Sequence, residues 1–267
     1  MKRNVLKLKK AKPPVVKGKA RARAARVTTA APQPRRKAGP RRIAKSALGG
    51  YALEVLARLK REYPDARTEL DYETPLQLLE ATILSAQCTD RRVNMVTPLL
   101  FKTYPTAAAL ADAPPEKLEE IIKSTGFFRN KTKSLIGLGK ALVERHNGEV
   151  PDSMELLVKL PGVGRKTANV VLGNAFHKNV GVVVDTHVAR VSHRLGLTRE
   201  TDPVKIEQDL MPLFPQEDWA LLSHLLIFHG RRVCDARRPK CEICVLNDIC
   251  PSSTVTAGGG KREAGGG

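Results

Sequence analysis

The amino-acid sequence predicts an all-α fold, on three observations. From Tyr51 onward apolar residues recur at the spacing of one helix face, as in Leu76, Leu79 and Ile83. Proline and glycine divide this part of the chain into helices of roughly 8 to 16 residues joined by short turns. Only residues 180–184 have the composition of a strand. Because one isolated strand cannot form a sheet, we expect a buried connector there.

The predicted helices follow one another in a regular order. The first lies within residues 46–67, and the second covers residues 76–86 and ends close to Gln87. Thr89 and Asp90 are suited to cap the helix that comes next. Pro115 suits the first turn of a later helix. Residues 152–175 then predict two short helices joined by a glycine-containing hairpin.

Charge is distributed unevenly along the 267 residues, whose formal net charge is +19. The first 50 residues hold 17 of the 46 Lys and Arg residues and no acidic residue, so the remainder is almost neutral. We expect residues 1–45 to be a disordered basic arm that makes weak, salt-sensitive phosphate contacts. The surplus of basic over acidic residues indicates a polyanionic partner such as nucleic acid. Residues 252–267 are expected to be a flexible tail.

Several classes of protein are excluded by composition. No run of about 18 uncharged apolar residues is present, and the N-terminus lacks the apolar stretch of a secretory signal. A hydrophobic content of 42% excludes a wholly disordered chain. We therefore expect a soluble, cytoplasmic protein, with no membrane partner and with one large or two small domains.

The hairpin Pro161-Gly162-Val163-Gly164 is suited to binding a phosphate. Two glycines allow a tight turn whose N–H groups point outward at the start of a helix, where the helix dipole adds positive character. Gly162, Gly164 and Arg165 are therefore candidate DNA contacts. A purely structural turn between two packed helices is the alternative for the glycines alone.

Lys166 and Asp185 are the candidate catalytic residues. Lys166 lies in the first turn of a predicted helix beside Arg165, a position that disfavours the charged form of an amine and so favours a nucleophile. Taken alone, a lysine after such a turn is more often a phosphate contact than a nucleophile. Asp185 precedes a helix and can serve as its N-cap, which contributes about 1 kcal/mol. It can also stabilise a developing positive charge, and the two roles are compatible.

Four of the five cysteines, Cys234, Cys241, Cys244 and Cys250, fall within 17 residues. An odd number of cysteines in a chain without a secretory signal argues against disulfides, so the four predict a metal or a cluster. Zinc is the alternative to an iron–sulfur cluster, although zinc ribbons usually place two Cys-x2-Cys pairs far apart. The loop between the first two cysteines carries three predicted contacts to the DNA backbone, Arg237, Arg238 and Lys240.

Three motifs together resemble endonuclease III of the helix-hairpin-helix glycosylase superfamily. They are LPGVGRKTAN at 160–169, VDTH at 184–187 and the Cys-x6-Cys-x2-Cys-x5-Cys spacing. The resemblance covers residues 46–251. It implies a bifunctional DNA glycosylase and abasic-site lyase that removes oxidised or ring-saturated pyrimidines, with Lys166 as nucleophile and Asp185 as second catalytic residue. It also implies that the four cysteines hold a [4Fe-4S] cluster.

An enzyme that acts on a base within a duplex must extrude that base and fill the space it leaves. The resemblance implies that Gln87 fills this space and that Phe127 wedges between bases. Leucine is common in the family at the position of Phe127, so this chain has a bulkier residue there. From composition alone, Gln87 is an ordinary polar helix end, and Phe127 and Phe128 are two core aromatics. His187 is a further candidate for a phosphate or lesion contact.

The resemblance also predicts two helical domains with a cleft between them. One covers residues 68–178 and ends in the helix-hairpin-helix motif, and the other joins residues 46–67 to 179–251. The expected partner is double-stranded DNA with damaged bases or abasic sites, bound by a monomer that is nucleoid-associated if the source is bacterial. Two alternatives remain: a same-fold glycosylase for pyrimidine dimers or mispaired bases, and a non-catalytic helix-hairpin-helix DNA-binding protein.

Overall fold

The structure, a computed structural model, describes residues 43–255, and within that range the chain forms α-helices and no strand. The all-α prediction is therefore confirmed. Most of the predicted basic arm and of the predicted tail lies outside the described residues. The helices are α1 Leu48–Glu62, α2 Pro75–Leu84, α3 Asp90–Thr103, α4 Ala107–Ala111, α5 Pro115–Ile122, α6 Phe128–His146, α7 Met154–Leu157, α8 Arg165–Ala175, α9 Thr186–Arg194, α10 Pro203–Leu210 and α11 Trp219–Arg232.

The first residues of most helices explain why the helices begin where they do. A side-chain oxygen just before the helix accepts a backbone N–H of the first turn in α2, α3, α4, α7, α9 and α10. Proline occupies the first position of α2, α5 and α10, where its missing N–H costs no hydrogen bond. Among the described residues, no helix is both long enough and apolar enough to span a membrane.

The helices bury two separate hydrophobic cores within one compact unit. The hairpin lobe, residues 70–176, packs α2 to α8 around one core. The cysteine lobe, residues 48–66 and 182–250, packs α1 and α9 to α11 around the other. The chain passes between the lobes near residues 67–69 and 177–181. These positions support the division predicted from the sequence, which we retain as a proposal.

Three segments outside the helices refine the predicted connector, the predicted end of the second helix and the predicted end of the fold. Residues 182–184 are buried without forming a strand, as expected of a connector. The second helix ends at Leu84, so Gln87 lies beyond it in a turn, with a positive φ of 54°. At the other end of the fold, Ser253 is buried. The packed structure therefore continues past residue 251.

Gly139 allows the closest helix packing in the hairpin lobe. A Cβ atom at this position of α6 would lie 2.6 Å from the backbone nitrogen of Ala111 and 2.7 Å from the carbonyl oxygen of Ala107. Both neighbours are backbone atoms of α4, which cannot turn away as a flexible side chain can. Packing of α4 on α6 therefore requires glycine here.

We expect Gly139→Ala to lower the free energy of unfolding by roughly 1–3 kcal/mol, because α4 must shift to admit the methyl group. Gly49→Ala is the control, since a Cβ there meets nothing within 4 Å. Replacing this helical glycine should stabilise the protein by about 0.4–1 kcal/mol. Urea unfolding of the two variants measures both effects. Equal effects of the two substitutions would contradict the close-packing argument.

Glu80 is a buried carboxyl group in α2. Its side chain is 1% exposed, and neither carboxyl oxygen has a hydrogen-bond partner among the described residues. Burial disfavours the charged form and raises the pKa of Glu80 to about 8. The carboxyl is therefore protonated in the folded protein at neutral pH.

Glu80 should make stability depend on pH in a definite direction. Between the ordinary pKa of 4.5 and the folded value of about 8, the folded chain binds one more proton than the unfolded chain. The free energy of unfolding therefore falls as pH rises through this interval, by up to about 1.4 kcal/mol per unit. We expect Glu80→Gln to remove this slope and to stabilise the protein most above pH 8. Chemical unfolding from about pH 5 to 9 tests this, with the exposed Glu120→Gln as control.

Candidate active site

A cavity of about 240 Å³ lies between the two lobes, and both candidate catalytic residues line it. Lys166 reaches it from the first turn of α8 in the hairpin lobe. Asp185 reaches it from the end of the buried connector in the cysteine lobe. The remaining wall comes from the turn between α2 and α3, the segment near residue 68 and one face of α11. The site exists only where the lobes meet.

The hairpin before α8 has the geometry of an anion site. Gly162 adopts a positive φ of 77°, and a Cβ there would lie 2.8 Å from Ser134 Cβ, so the turn requires glycine on two grounds. Gly164 is the N-cap of α8, and a Cβ there would meet nothing within 4 Å. N–H groups in the first turn of α8 have no intrahelical partner, which suits the expected phosphate contact.

Asp185 has the capping role foreseen for it. Its Oδ1 accepts hydrogen bonds from the backbone N–H groups of His187 and Val188, each at 2.8 Å. These two bonds fix the carboxylate against the start of α9. The capping hydrogen bonds use only Oδ1, and Asp185 also lines the cavity. The cap therefore fixes the orientation of a carboxylate at this cavity.

Arg165 is engaged within the protein. Its Nε and Nη2 donate to Glu207 at 2.8 and 3.0 Å, and Asn169 donates to the same carboxylate at 3.0 Å. Glu207 is buried on α10, so this contact joins α8 of one lobe to a helix of the other. This pairing uses the Arg165 guanidinium inside the protein, with a buried carboxylate as its partner. A DNA contact by Arg165 remains a prediction.

Arg231 of α11 lines the same cavity and was not foreseen from the sequence. It donates to Asp90 at 2.8 Å and also to Glu69. Burial opposes its charge, but Asp90, Glu69 and the nearby Asp185 outweigh this effect and raise the pKa of Arg231. Its partners lie 141 and 162 residues away in the chain. No local pattern in a single sequence could have indicated these pairs.

His224 is a second cavity residue that sequence reasoning missed. Its Nε2 lies 2.8 Å from Asn174 Oδ1, an atom that only accepts hydrogen bonds. Burial lowers the pKa of His224 to about 4, so the ring is neutral at neutral pH. Nε2 then carries the proton and Nδ1 is an acceptor. His224 thus supplies an uncharged acceptor in the wall of the cavity.

The two predicted insertion residues are both exposed, and both have left-handed backbone conformations. Gln87 has φ 54° and lines the cavity between α2 and α3. Phe127 has φ 48°, follows Gly126 and is 63% exposed, whereas Phe128 packs against the hairpin-lobe core. The interpretation of Phe127 as a core aromatic is therefore wrong. His187 lies on α9, with its Nδ1 3.1 Å from Arg190 Nη2.

The four clustered cysteines line one cavity in the cysteine lobe. Arg194 Nη1 lies 3.2 Å from Cys234 Sγ, and the Leu246 N–H donates to Cys244 Sγ at 3.4 Å. Burial raises the pKa of Cys244 to about 12, so thiolates here need a cationic group to bind them. Within residues 43–255, no group of three or more His, Cys, Asp or Glu side chains is arranged to hold a metal ion. The shared cavity nevertheless brings the four cysteines into one region of the cysteine lobe.

The basic loop between the first two cysteines is anchored through its backbone. Arg194 donates to the carbonyl oxygens of Asp235 and Ala236 at 2.6 and 2.7 Å. Lys240 donates to the carbonyl oxygen of Arg232 at 2.9 Å, so it also helps to hold the loop. Arg237 and Arg238 are exposed. The structure thus presents these two side chains on a fixed loop, as a backbone contact requires.

Comparisons with known proteins agree with this geometry. Residues 81–216 match the family described as "HhH-GPD superfamily base excision DNA repair protein", and residues 234–250 match the "Iron-sulfur binding domain of endonuclease III". Endonuclease III of Synechocystis sp. is 59% identical over 205 residues, which are 77% of this chain and 94% of the relative.

Two solved structures are also similar to this chain. One is described as "Structure of a non-covalent Endonuclease III-DNA Complex", and the other as "Structure of a Trapped Endonuclease III-DNA Covalent Intermediate: Estranged-Adenine Complex". Each has a TM-score of 0.73 and 43% identity and covers 76% of this chain. The match covers 95% of the first solved chain and 96% of the second.

Proposed function

The chain belongs to the endonuclease III family of HhH-GPD base excision repair proteins, and from this premise we propose that Lys166 and Asp185 carry out its chemistry. It is a DNA glycosylase and abasic-site lyase, which excludes the non-catalytic alternative. The observation that supports the residue assignment is the shared cavity, to which each lobe contributes one of the two groups.

The substrate is a single damaged base in duplex DNA. The cavity of about 240 Å³ that Lys166 and Asp185 line has room for one extruded base. Membership of the endonuclease III family favours oxidised or ring-saturated pyrimidines over pyrimidine dimers. The covalent DNA complex of a similar protein supports a covalent route. Because its substrate is duplex DNA, we propose a cytoplasmic location, at the nucleoid if the source is bacterial.

Lys166 is the nucleophile in this proposal. Its neutral Nζ attacks C1′ of the extruded nucleotide, the N-glycosidic bond breaks, and the base leaves with the bonding electrons and takes up a proton. One amine proton goes to the departing base and the other to the ring oxygen O4′ as the sugar ring opens, which leaves a Schiff base between Nζ and C1′. Removal of a C2′ proton then expels the 3′ phosphate by β-elimination. Water finally hydrolyses the Schiff base and releases the lysine.

Asp185 stabilises the positive charge that develops on the sugar as the base departs. Its Oδ1 is held by two backbone N–H groups, so the carboxylate is oriented before the substrate arrives. His224 can accept a hydrogen bond from the substrate through Nδ1. The hairpin N–H groups at Gly162 and Gly164 bind a phosphate beside the lesion.

Extrusion of the base requires groups that take its place. We assign this role to Gln87, whose turn borders the cavity, and to the exposed Phe127, which enters between neighbouring bases. Arg237, Arg238 and Lys240 contact the DNA backbone from their anchored loop. His187 and Arg165 remain candidate DNA contacts.

The chain carries a [4Fe-4S] cluster, for which we propose four cysteine ligands, Cys234, Cys241, Cys244 and Cys250. When bound, the cluster supplies a rigid cross-link among four points of the C-terminal loop. The donors to sulfur from Arg194 and Leu246 suit anionic thiolates. Its role in this proposal is to hold the basic loop in place.

Lys166→Gln should bind lesion-containing duplex but neither cut it nor become trapped on it by borohydride, because an amide cannot form a Schiff base. Asp185→Asn keeps the hydrogen-bonding shape without the charge, and should slow single-turnover base release by about 100-fold or more. Lys140→Gln, an exposed lysine on α6, is the control and should behave as the parent protein. Normal cutting by Lys166→Gln would refute the mechanism.

Cys241→Ser should reduce the visible absorbance of the iron–sulfur chromophore and weaken DNA binding, because the basic loop loses its anchor. Base release at saturating DNA should fall much less than binding does. Cys88→Ser is the matched control and should retain the chromophore and the affinity. Iron and zinc analysis of the parent protein completes the test, since a colourless protein with stoichiometric zinc would overturn the assignment.

A further inference from the structure

Lys131 is a buried lysine for which the proposed mechanism has no role. It lies in the first turn of α6 and is 5% exposed. Its Nζ donates hydrogen bonds to the carbonyl oxygens of Leu84 at 2.8 Å and Thr125 at 2.9 Å. Burial lowers its pKa. A cation placed at such cost inside the hairpin lobe calls for an explanation.

Both acceptors are carbonyl groups at the ends of helical segments. Leu84 is the last residue of α2, and Thr125 is the last residue of the 3-10 turn that follows α5. Carbonyl groups at such ends lack helical partners, and a cation is favourable at the negative end of a helix dipole. The compact ammonium can donate in several directions, so one residue can serve two chain ends.

The two segments that follow these chain ends carry the proposed insertion residues. Gln87 lies three residues after Leu84, and Phe127 lies two residues after Thr125. Each has a positive φ that an ordinary side chain adopts only under constraint from its surroundings. One ammonium therefore fixes the starting points of both exposed turns.

We propose that Lys131 is a positioning residue that holds the Gln87 and Phe127 turns at a fixed mutual distance, so that both side chains enter the duplex together. It touches neither DNA nor the reacting atoms. The inference rests on the insertion roles proposed above for these two residues. It predicts a defect confined to DNA in which a base must be extruded and its place filled.

The test compares two substrates for Lys131→Met, which keeps the length of the side chain and removes its donors. On a duplex with a ring-saturated pyrimidine, the single-turnover rate should fall on the order of 10- to 100-fold. On a single-stranded abasic oligonucleotide, which has no partner strand to penetrate, the β-elimination rate should remain that of the parent protein. Lys178→Met is the matched control, because that exposed lysine also donates to two oxygens, both of Asp152. It should leave both rates unchanged.

A direct readout is 2-aminopurine fluorescence at the position opposite a reduced abasic site. The parent protein and Lys178→Met should change this fluorescence, and Lys131→Met should not. Added to a variant that already carries Gln87→Ala and Phe127→Ala, Lys131→Met should cost little more, because it acts through those residues. The inference would be overturned if Lys131→Met reduced the duplex rate as much in that variant as it does in the parent protein.

Folding failure is handled by a second variant, Lys131→Gln, which can still donate to one carbonyl and should show a smaller duplex defect. An equal loss of both activities, in either soluble variant, would show that the lysine supports only the fold and would overturn the inference. So would the failure of both variants to fold. If Gln87→Ala and Phe127→Ala have no duplex defect by themselves, the insertion roles fail. Cutting by Lys166→Gln would instead refute the catalytic proposal. It would not affect the comparison of duplex and single-stranded rates for Lys131→Met.

Discussion

The site depends on a fixed gap between two lobes that have separate hydrophobic cores. Neither core determines the distance between Lys166 and Asp185, which approach the cavity from opposite sides. Contacts between the lobes do so instead, both the close packing of α8 on α11, where a Cβ at Gly173 would lie 2.9 Å from Ala220 Cβ, and two ion pairs. Arg165 meets Glu207 near the hairpin, and Arg231 meets Asp90 in the cavity wall. Ion pairs with bidentate or multiple hydrogen bonds fix orientation as well as distance, which apolar packing alone does less well.

The site also uses the backbone N–H and carbonyl groups that helices leave unpaired at their ends. Free N–H groups at the start of α8 provide the expected phosphate site, and those at the start of α9 orient the Asp185 carboxylate. The carbonyl groups of Leu84, at the end of α2, and of Thr125, just before Gly126, accept hydrogen bonds from Lys131. Short helices with many ends therefore suit this enzyme, because each end is a potential binding or positioning group.

The features that the sequence predicted correctly depend on residues that are close together in the chain. Capping residues, the glycine hairpin and the cysteine spacing each act within a few residues, so their patterns are visible without a fold. The features that it missed are side chains whose position depends on contacts with residues far away in the chain. In the sequence, His224 is one polar residue in an apolar helix. In the fold it lines the cavity and forms a hydrogen bond with Asn174, 50 residues away. Gln87 was placed at a helix end, although α2 stops at Leu84.

By itself, the sequence determined the helical class, the family and the chemical types available: an amine, a carboxylate and four thiols. Residue identity and short spacings are sufficient for these, because they reflect covalent chemistry and local hydrogen bonding. Only the tertiary structure decided that Phe127 is exposed while Phe128 packs inward, that Glu207 pairs with Arg165, and that one buried lysine joins two turns. Such features depend on which surfaces meet after the chain has folded, and burial is a property of the whole fold.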